Sequence, residues 1–408
     1  MPQQDPLPRL RRIDIVPVRS GRQEMLALRD PSGLVHQALV VSPSALIVLQ
    51  MLDGRHTMRE LQTELVRRTG QLVRSDQLER IISQLDEGLL LHTPRFEEHR
   101  QRRLAEYRAC GVRECRHAEG GYPLEPDAFR AMVVGWLNDL PPRATVPSGR
   151  LVGAIAPHID FGRGARGYAH VYRDLAEDCN ADLFIILGTD HFGDTQFAAT
   201  RCDFETPLGR VRTARGVLDR MEAQFIGDLF DGELQHPAEH TVEFQAVLLQ
   251  HFLGGKRDFE IVPILCGGLQ EEIEEGLPAS ENAEVSSLIE CLGEIVADGA
   301  RKTCVIASAD LSHVGPDFGG DRPVTSAFLE KVEAFDRQVL EPVIGLERDR
   351  LFQLVAERKN DTNICGLCPI YMALGALGEC RGELLDYQQA ASPDRRQAVS
   401  FAAATFWR

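Results

Sequence analysis

Three short apolar runs in this chain pass without a break into histidine. Leu151–Ala156 leads into Pro157-His158, Leu183–Leu187 into Gly188-Thr189-Asp190-His191, and Cys304–Ala309 into Asp310-Leu311-Ser312-His313. Runs of this length, rich in Ile, Val, Leu and Ala, predict buried strands. Ile261–Cys266 and Phe401–Phe406 have the same texture, and helical periodicity is readable at Arg166–Ala176, His240–Phe252, Glu284–Asp298, Thr325–Leu340 and Leu367–Leu377. Strands alternating with helices predict an α/β domain, and in open sheets of that kind ligands gather beyond the carboxyl ends of the strands. A single histidine at a strand end is ordinarily a hydrogen-bonded structural residue. Three in the same topological position point to a convergent metal or acid/base site.

Neutral imidazoles joined by one carboxylate or thiolate suit a first-row transition metal. A face of two histidines and one anion leaves positions open on iron for substrate or O₂, and copper and zinc also accept N and S ligands. Cys365 is the candidate third ligand. Asn363-Ile364-Cys365-Gly366 places it in a turn before a helix, where the N-terminal dipole favours a thiolate, although its spacing alone is that of an inert buried thiol. Cys368 completes a C-x-x-C, but no second pair exists to close a zinc site, and no C-x-x-x-C-x-x-C provides a radical-SAM cluster. Ten sparse, irregular cysteines predict core thiols in a reducing compartment.

Two further segments carry chemistry. In Glu239-His240-Thr241-Val242-Glu243, His240 and Glu243 stand at i and i+3, so Glu243 is expected either to orient His240 or to belong to a solvated helix start. The pattern is not H-E-x-x-H. Gly162-Arg163-Gly164-Ala165-Arg166-Gly167 fits G-x-G-x-x-G and offers a rival, dinucleotide-binding reading. Against it, the next acidic strand end, Asp190, lies 190 − 162 = 28 residues on, where such folds need about 20.

Charge separates the chain into two textures. Residues 1–100 hold 14 Arg and no Lys against 13 acidic residues, a balance of +1, whereas the whole chain carries −16. That balance argues against nucleic acid as a partner. With no apolar signal core and no run of membrane-spanning length, the sequence predicts a cytoplasmic protein without membrane association. The 408 residues divide into a small domain over 1–93, an Arg- and Glu-rich helical linker over 94–112 and a large domain over 113–408, the last punctuated by Pro141-Pro142 and Pro147-Ser148-Gly149. In the small domain, Pro43–Met51 predicts one helix, Thr57 with Glu60 caps a second, and Ser75 caps a third. A strand over Val35–Val41 is expected to pair with Gly88–Leu91, which makes a winged-helix-like α+β unit. It resembles the peptide-binding domains of the PQQ-synthesis D type, which hold a peptide by strand addition; a domain that only packs on the enzyme body or mediates dimerisation fits equally.

From about Arg113 onward the chain resembles the Memo family, the B component of the microbial AmmeMemoRadiSam set. The matching segments are His117-Ala118-Glu119-Gly120-Gly121-Tyr122-Pro123, Ala156-Pro157-His158, Leu187-Gly188-Thr189-Asp190-His191, Thr206-Pro207-Leu208-Gly209, Glu239 to Glu243, Ser308 to His313 and Ile364-Cys365-Gly366. The resemblance implies a mixed central sheet flanked by helices, similar to class III extradiol dioxygenases. It places metal ligands at His158, His191 and Cys365, with His240, Asp310 and His313 lining the pocket. Iron(II) is the implied metal, with copper second. The chain departs from the family after His158, where Ile159-Asp160-Phe161 stands; Asp160 is thereby a candidate extra carboxylate for the metal or an acid/base group. The implied activity is that of a redox or O₂-activating metalloenzyme, an iron or copper oxidoreductase. The alternative is an accessory component without independent catalysis that binds a radical-SAM enzyme and a peptide or protein substrate through the small domain. The sequence leaves the oligomeric state open.

Overall fold

The computed structural model describes residues 5–21, 23–143 and 147–408, so the start of the chain and the middle of the proline-punctuated stretch at 141–149 lie outside the described residues. The chain divides into two compact units at Ala109/Cys110.

The first unit opens with β1 (Asp14–Ser20), β2 (Gln23–Arg29) and β3 (Leu39–Val41), followed by α1 (Ala45–Met51), α2 (Met58–Thr69), α3 (Ser75–Glu87) and α4 (Pro94–Cys110). The capping box forms as expected: the Thr57 side chain accepts from the Glu60 amide while Glu60 accepts from that of Thr57. Two expectations are corrected. Arg74, not Ser75, is the N-cap of α3, and its amide is held by Gln77. Only Leu39–Val41 of the expected strand forms, and it pairs with β2, placing Leu26 opposite Val41. The hairpin β1–β2 has taken the pairing partner that Gly88–Leu91 was expected to supply; Leu91 makes only an isolated bridge, to Leu10. In α4, Phe96 and Leu104 are buried, and the buried Arg11, paired with Asp30, lies 3.9 Å from the Phe96 ring.

The second unit runs β4 (Val112–Arg113), α5 (Pro126–Asn138), β5 (Leu151–Ala156), α6 (Phe161–Asp178), β6 (Leu183–Thr189), β7 (Phe197–Ala199), β8 (Asp203–Thr206), β9 (Gly209–Thr213), α7 (Arg215–Gln224), α8 (Thr241–Leu253) and β10 (Glu260–Cys266). It continues with α9 (Gln270–Glu275), α10 (Ala283–Ala297), β11 (Thr303–Ser308), β12 (Asp310–Val314), α11 (Ser326–Ile344), α12 (Arg348–Glu357), α13 (Leu367–Leu377), β13 (Arg381–Ala391) and β14 (Ala398–Trp407). The expected mixed α/β sheet flanked by helices is the observed architecture. Its order is β12-β14-β5-β11-β6-β10-β9-β8-β4, with β13 on β14 and β7 on β10. The strands β5, β11, β6 and β10 are mutually parallel, whereas β14 runs antiparallel to β5.

Side chains that alternate along a strand supply both faces. On β6, Leu183, Ile185 and Leu187 join the core beneath α10, α11 and α13, while Phe184 and Ile186 pack on the opposite side with Tyr168, Tyr172 and Val247. Burial on both faces explains why these parallel strands read as continuous apolar runs. Ile306, at the centre of β11, is fully buried. Replacing it by Ala is expected to cost about 2–5 kcal/mol, read as a lower denaturant midpoint at an unchanged slope.

Candidate metal centre

Strands β5, β11 and β6 are consecutive neighbours in the sheet. Adjacent strands lie about 4.8 Å apart, so residues just beyond their ends are within side-chain reach of one another. His158 follows β5, Asp310 follows β11, and His191 follows β6. The ring centroids of His158 and His191 are 5.1 Å apart, and His240, at the N-cap of α8, lies 5.5 Å from the first and 5.3 Å from the second. Cys365 comes in from the turn before α13, with Sγ 3.3 Å from Nε2 of His158.

The Cys365 turn is conformationally demanding. Lys359, Asn360 and Asn363 all adopt positive φ. Asn360 accepts from the Ile364 amide, and the Asn363 side-chain amide donates to the carbonyls of His313 and Phe318. Next to the cysteine, Gly366 approaches β11 so closely that a Cβ would lie 2.4 Å from the Asp310 carbonyl oxygen. A larger residue there would force this turn and the end of β11 apart.

Hydrogen bonds to the outer ring nitrogens decide what the imidazoles present. Nδ1 of His158 donates to the Ser308 carbonyl at 3.0 Å, and Nδ1 of His191 to Glu239 at 3.0 Å. In the neutral form of each ring, the form that binds a metal, Nε2 is left with its lone pair. Donor atoms of His158, His191 and Cys365 lie within 4.8 Å of one another, so these side chains form a group able to bind a metal ion.

The carboxylate that organises the group is Glu239, which is 1% exposed. It accepts from the amides of His191, His240 and Thr241 and also lies 2.9 Å from Nδ1 of His240. Burial opposes ionisation of Glu239, but His191 and His240 outweigh it and hold the carboxyl well below its ordinary range. Burial likewise opposes a charge on His191, yet Glu239 and the Cys365 thiol reverse the balance and raise its pKa well above that of a free imidazole. The field that favours a proton on His191 favours any cation at the same place. His158 is held neutral, first by burial and then by the neighbouring His191 and His240. The expected helix-dipole activation of Cys365 is not what dominates: burial pushes the thiol up, and His191 offsets this only in part. A thiolate there requires the countercharge of a bound cation.

The remaining candidates separate. Asp310 accepts from the His158 amide at 2.9 Å, has its second oxygen 3.8 Å from Nε2 of His158, and is pushed up to about 6 by burial. His313, three residues along β12 and paired like Asp310 with β14, is not in the group of donors that could hold a metal ion among the described residues. Its Nδ1 donates to the Leu311 carbonyl, and burial lowers its pKa to about 4. Asp160 is occupied elsewhere: it is the N-cap of α6, accepts from the Arg163 amide at 3.0 Å and pairs with the Arg163 guanidinium. The same fact corrects the dinucleotide reading. The glycine run lies inside α6, and the Asp160 carboxylate takes the place at the helix start where a phosphate would sit.

Glu243 does not orient His240. It points the other way, pairing with Arg113 and accepting from the Tyr122 hydroxyl, from the His117 amide and from Nδ1 of His117 at 2.7 Å. Burial would raise the Glu243 carboxyl, but Arg113, then His117 and Tyr122, hold it down at about 2. The His117 ring lies 5.7 Å from that of His240. Glu239, Arg113, His117 and Tyr122 are thus members of the site environment to which sequence reasoning assigned no role. The signal for Glu239 was present, an acid directly preceding a histidine at a helix start.

The sequence model of the family described as Memo-like protein matches residues 113–405. Among curated relatives, a MEMO1 family protein of Aquifex aeolicus is 26% identical over 410 residues, covering 98% of this chain and 100% of its own length. One from Methanosarcina mazei is 28% identical over 260 residues, 62% of this chain and 85% of its own, and one from Methanopyrus kandleri is 29% identical over 303 residues, 70% and 96%. That alignment spans the first unit as well as the second.

Glu239→Gln keeps the volume but removes the charge. The imidazole pKa of His191 is expected to fall, measured by NMR titration of the metal-free chain. For Glu243 the folded pKa, about 2, lies below the ordinary 4.5. Its ionised contacts therefore add stability above pH 4.5, and this is lost as pH falls from about 4.5 to about 2, an amount of about 3 kcal/mol. In Glu243→Gln that portion of the acid-unfolding curve is expected to flatten.

Proposed function

The chain belongs to the Memo-like protein family, and on that footing we propose that it is a non-haem metalloprotein whose centre, held by His158, His191 and Cys365, serves redox or O₂-activating chemistry with iron(II) or copper. The observation that carries this reading is the pairing of two imidazoles, each with Nε2 freed by a hydrogen bond on Nδ1, with one thiol in the same 4.8 Å group. That donor set fits a transition ion and offers fewer ligands than a closed structural zinc site. A bound ion would supply Lewis acidity and a redox couple.

The protein's own groups do the rest. Glu239 fixes the rotation of His191 and His240 together and gives a net negative countercharge beneath a cation. His240, with Nδ1 committed to Glu239, presents Nε2 as the group that takes or returns a substrate proton. Asp310, its carboxyl pushed up to about 6 by burial, holds the His158 backbone. Core side chains beneath the strand ends exclude water from the inner side of the group.

A second reading makes the chain an accessory component that presents a peptide or protein to a radical-SAM enzyme. The observation favouring it is the outer edge of β3 in the first unit, which has no strand partner among the described residues and where Val40 is 49% exposed. Co-purification with such an enzyme, abolished by proline substitution at Val40, would select it.

The deciding experiment is metal analysis of anaerobically purified protein together with an oxygen electrode. Stoichiometric iron or copper is expected in the wild type and its loss in His158→Ala and Cys365→Ser, both of which should remain folded. Glu239→Gln is expected to weaken metal affinity by about 10–100-fold. O₂ uptake with added catechols or thiols supports catalysis. Absence of metal after reconstitution overturns the reading.

A further inference from the structure

At the far end of β12, the strand that begins with Asp310, a cleft of ≈ 930 Å³ has His313 on its wall. It is built by the turn that follows β12 and by the first turns of α11, and its far side is the loop that ends in Cys365. Asn363 joins these parts: its side-chain amide donates at 3.1 Å to the His313 carbonyl and at 3.4 Å to that of Phe318. Cys365 is two residues beyond Asn363, so the cleft and the centre share one loop. The cleft also carries a definite chemistry. Phe318 stands edge-on to the His313 ring with centroids 5.0 Å apart, and Phe328, 39% exposed, supplies a second aromatic surface.

Arg322 and Lys331 are exposed on the same wall, and neither makes an ion pair among the described residues. Of the two carboxylates lining the cleft, Asp361 is neutralised by Arg358 at 2.9 Å, which leaves Asp321 against two cations. A local positive balance of this kind stands out on a chain of net charge −16. The dipole of α11, whose first turn borders the cleft, has the same sign. The His313 ring is held against the cleft wall by the Leu311 and Asn363 backbone.

We infer that this cleft takes the substrate of the adjoining centre, and that the substrate is a small organic anion. Its carboxylate or phosphate is held by Arg322 and Lys331, its apolar body lies on Phe318 and Phe328, and a hydroxyl or carbonyl reaches inward past His313. The assignment of the cleft to a substrate rests on the metal-centre reading; anion binding in the cleft does not.

The test uses the full chain, metal-free and then loaded with iron(II), and the probes phenylacetate, phenyl phosphate and the neutral phenylethanol. Calorimetric titration of the metal-free chain is expected to show one or both anions binding at least about tenfold more tightly than the alcohol, with the stronger of the two identifying the anionic group. That preference should vanish in Arg322→Gln/Lys331→Gln, exposed changes that leave folding intact. The chain has only four lysines, at 256, 302, 331 and 359, so protection of Lys331 from acetylation by the bound anion is readable in a peptide map. On the iron-loaded chain, NMR signals of the bound anion should broaden. Equal binding of anion and alcohol, an unchanged affinity in the double variant, or an unprotected Lys331 would overturn the anion site. Anion binding without iron-induced broadening would overturn its assignment to the centre. Because the affinities are measured without metal, failure of the metal-centre reading does not move them.

Discussion

A single buried carboxylate, Glu239, holds the end of β6 and the start of α8 together. An ionised carboxylate removed from water costs several kcal/mol unless its lone pairs are filled. Here three backbone amides and the Nδ1 atoms of two imidazoles fill them. The requirement runs in both directions. The backbone at His191 and at His240 to Thr241 is fixed because the carboxylate needs their N–H groups, and both rings are turned because it also needs their Nδ1 protons. The stacked pair at 12° follows from sharing one acceptor group. The anionic background and the turn of the His191 and His240 rings derive from that arrangement, whereas His158 is oriented by the Ser308 carbonyl and kept neutral first by burial.

Four residues along, Glu243 performs a similar task toward a different part of the chain. Its contacts to Arg113, His117 and Tyr122 bind the end of β4 and the segment after it to the first turn of α8. Arg113 in turn donates to the backbone oxygens of His236 and Glu239, so the loop carrying Glu239 is itself held from outside. Strand adjacency thus brings His158, Asp310 and His191 together, while buried carboxylates give the rings their orientation. The third element, the loop of Cys365, depends on left-handed asparagines and on the absence of a side chain at Gly366.

Much of this architecture is legible in the sequence because it is local. Parallel strands buried on both faces must be apolar throughout, so β5, β6, β10 and β11 were readable almost to the residue, as was α13. The hairpin β13–β14 and the three-stranded sheet of the first unit were less legible. Arg381–Ala391 mixes polar and apolar residues without a clear alternation, and which strand pairs with which is set by contacts distant in sequence. Asp160 and Glu243 show the same limit at the site. Both stand two or three positions from a candidate histidine, yet Asp160 caps its own helix and Glu243 faces a guanidinium 130 residues away.

The sequence by itself determined the fold class and the placing of His158, His191 and Asp310 at strand ends, because strand length, apolar content and the residue that follows are properties of a few adjacent positions. Only the tertiary structure decided that β5, β11 and β6 are neighbours, that Cys365 reaches His158 across 207 residues of chain, and that Glu239 rather than Glu243 serves the histidines. Those outcomes depend on through-space pairing of buried charges. The cost of burying a carboxylate is met by whichever donors the completed fold brings to it, and spacing along the chain does not contain that information.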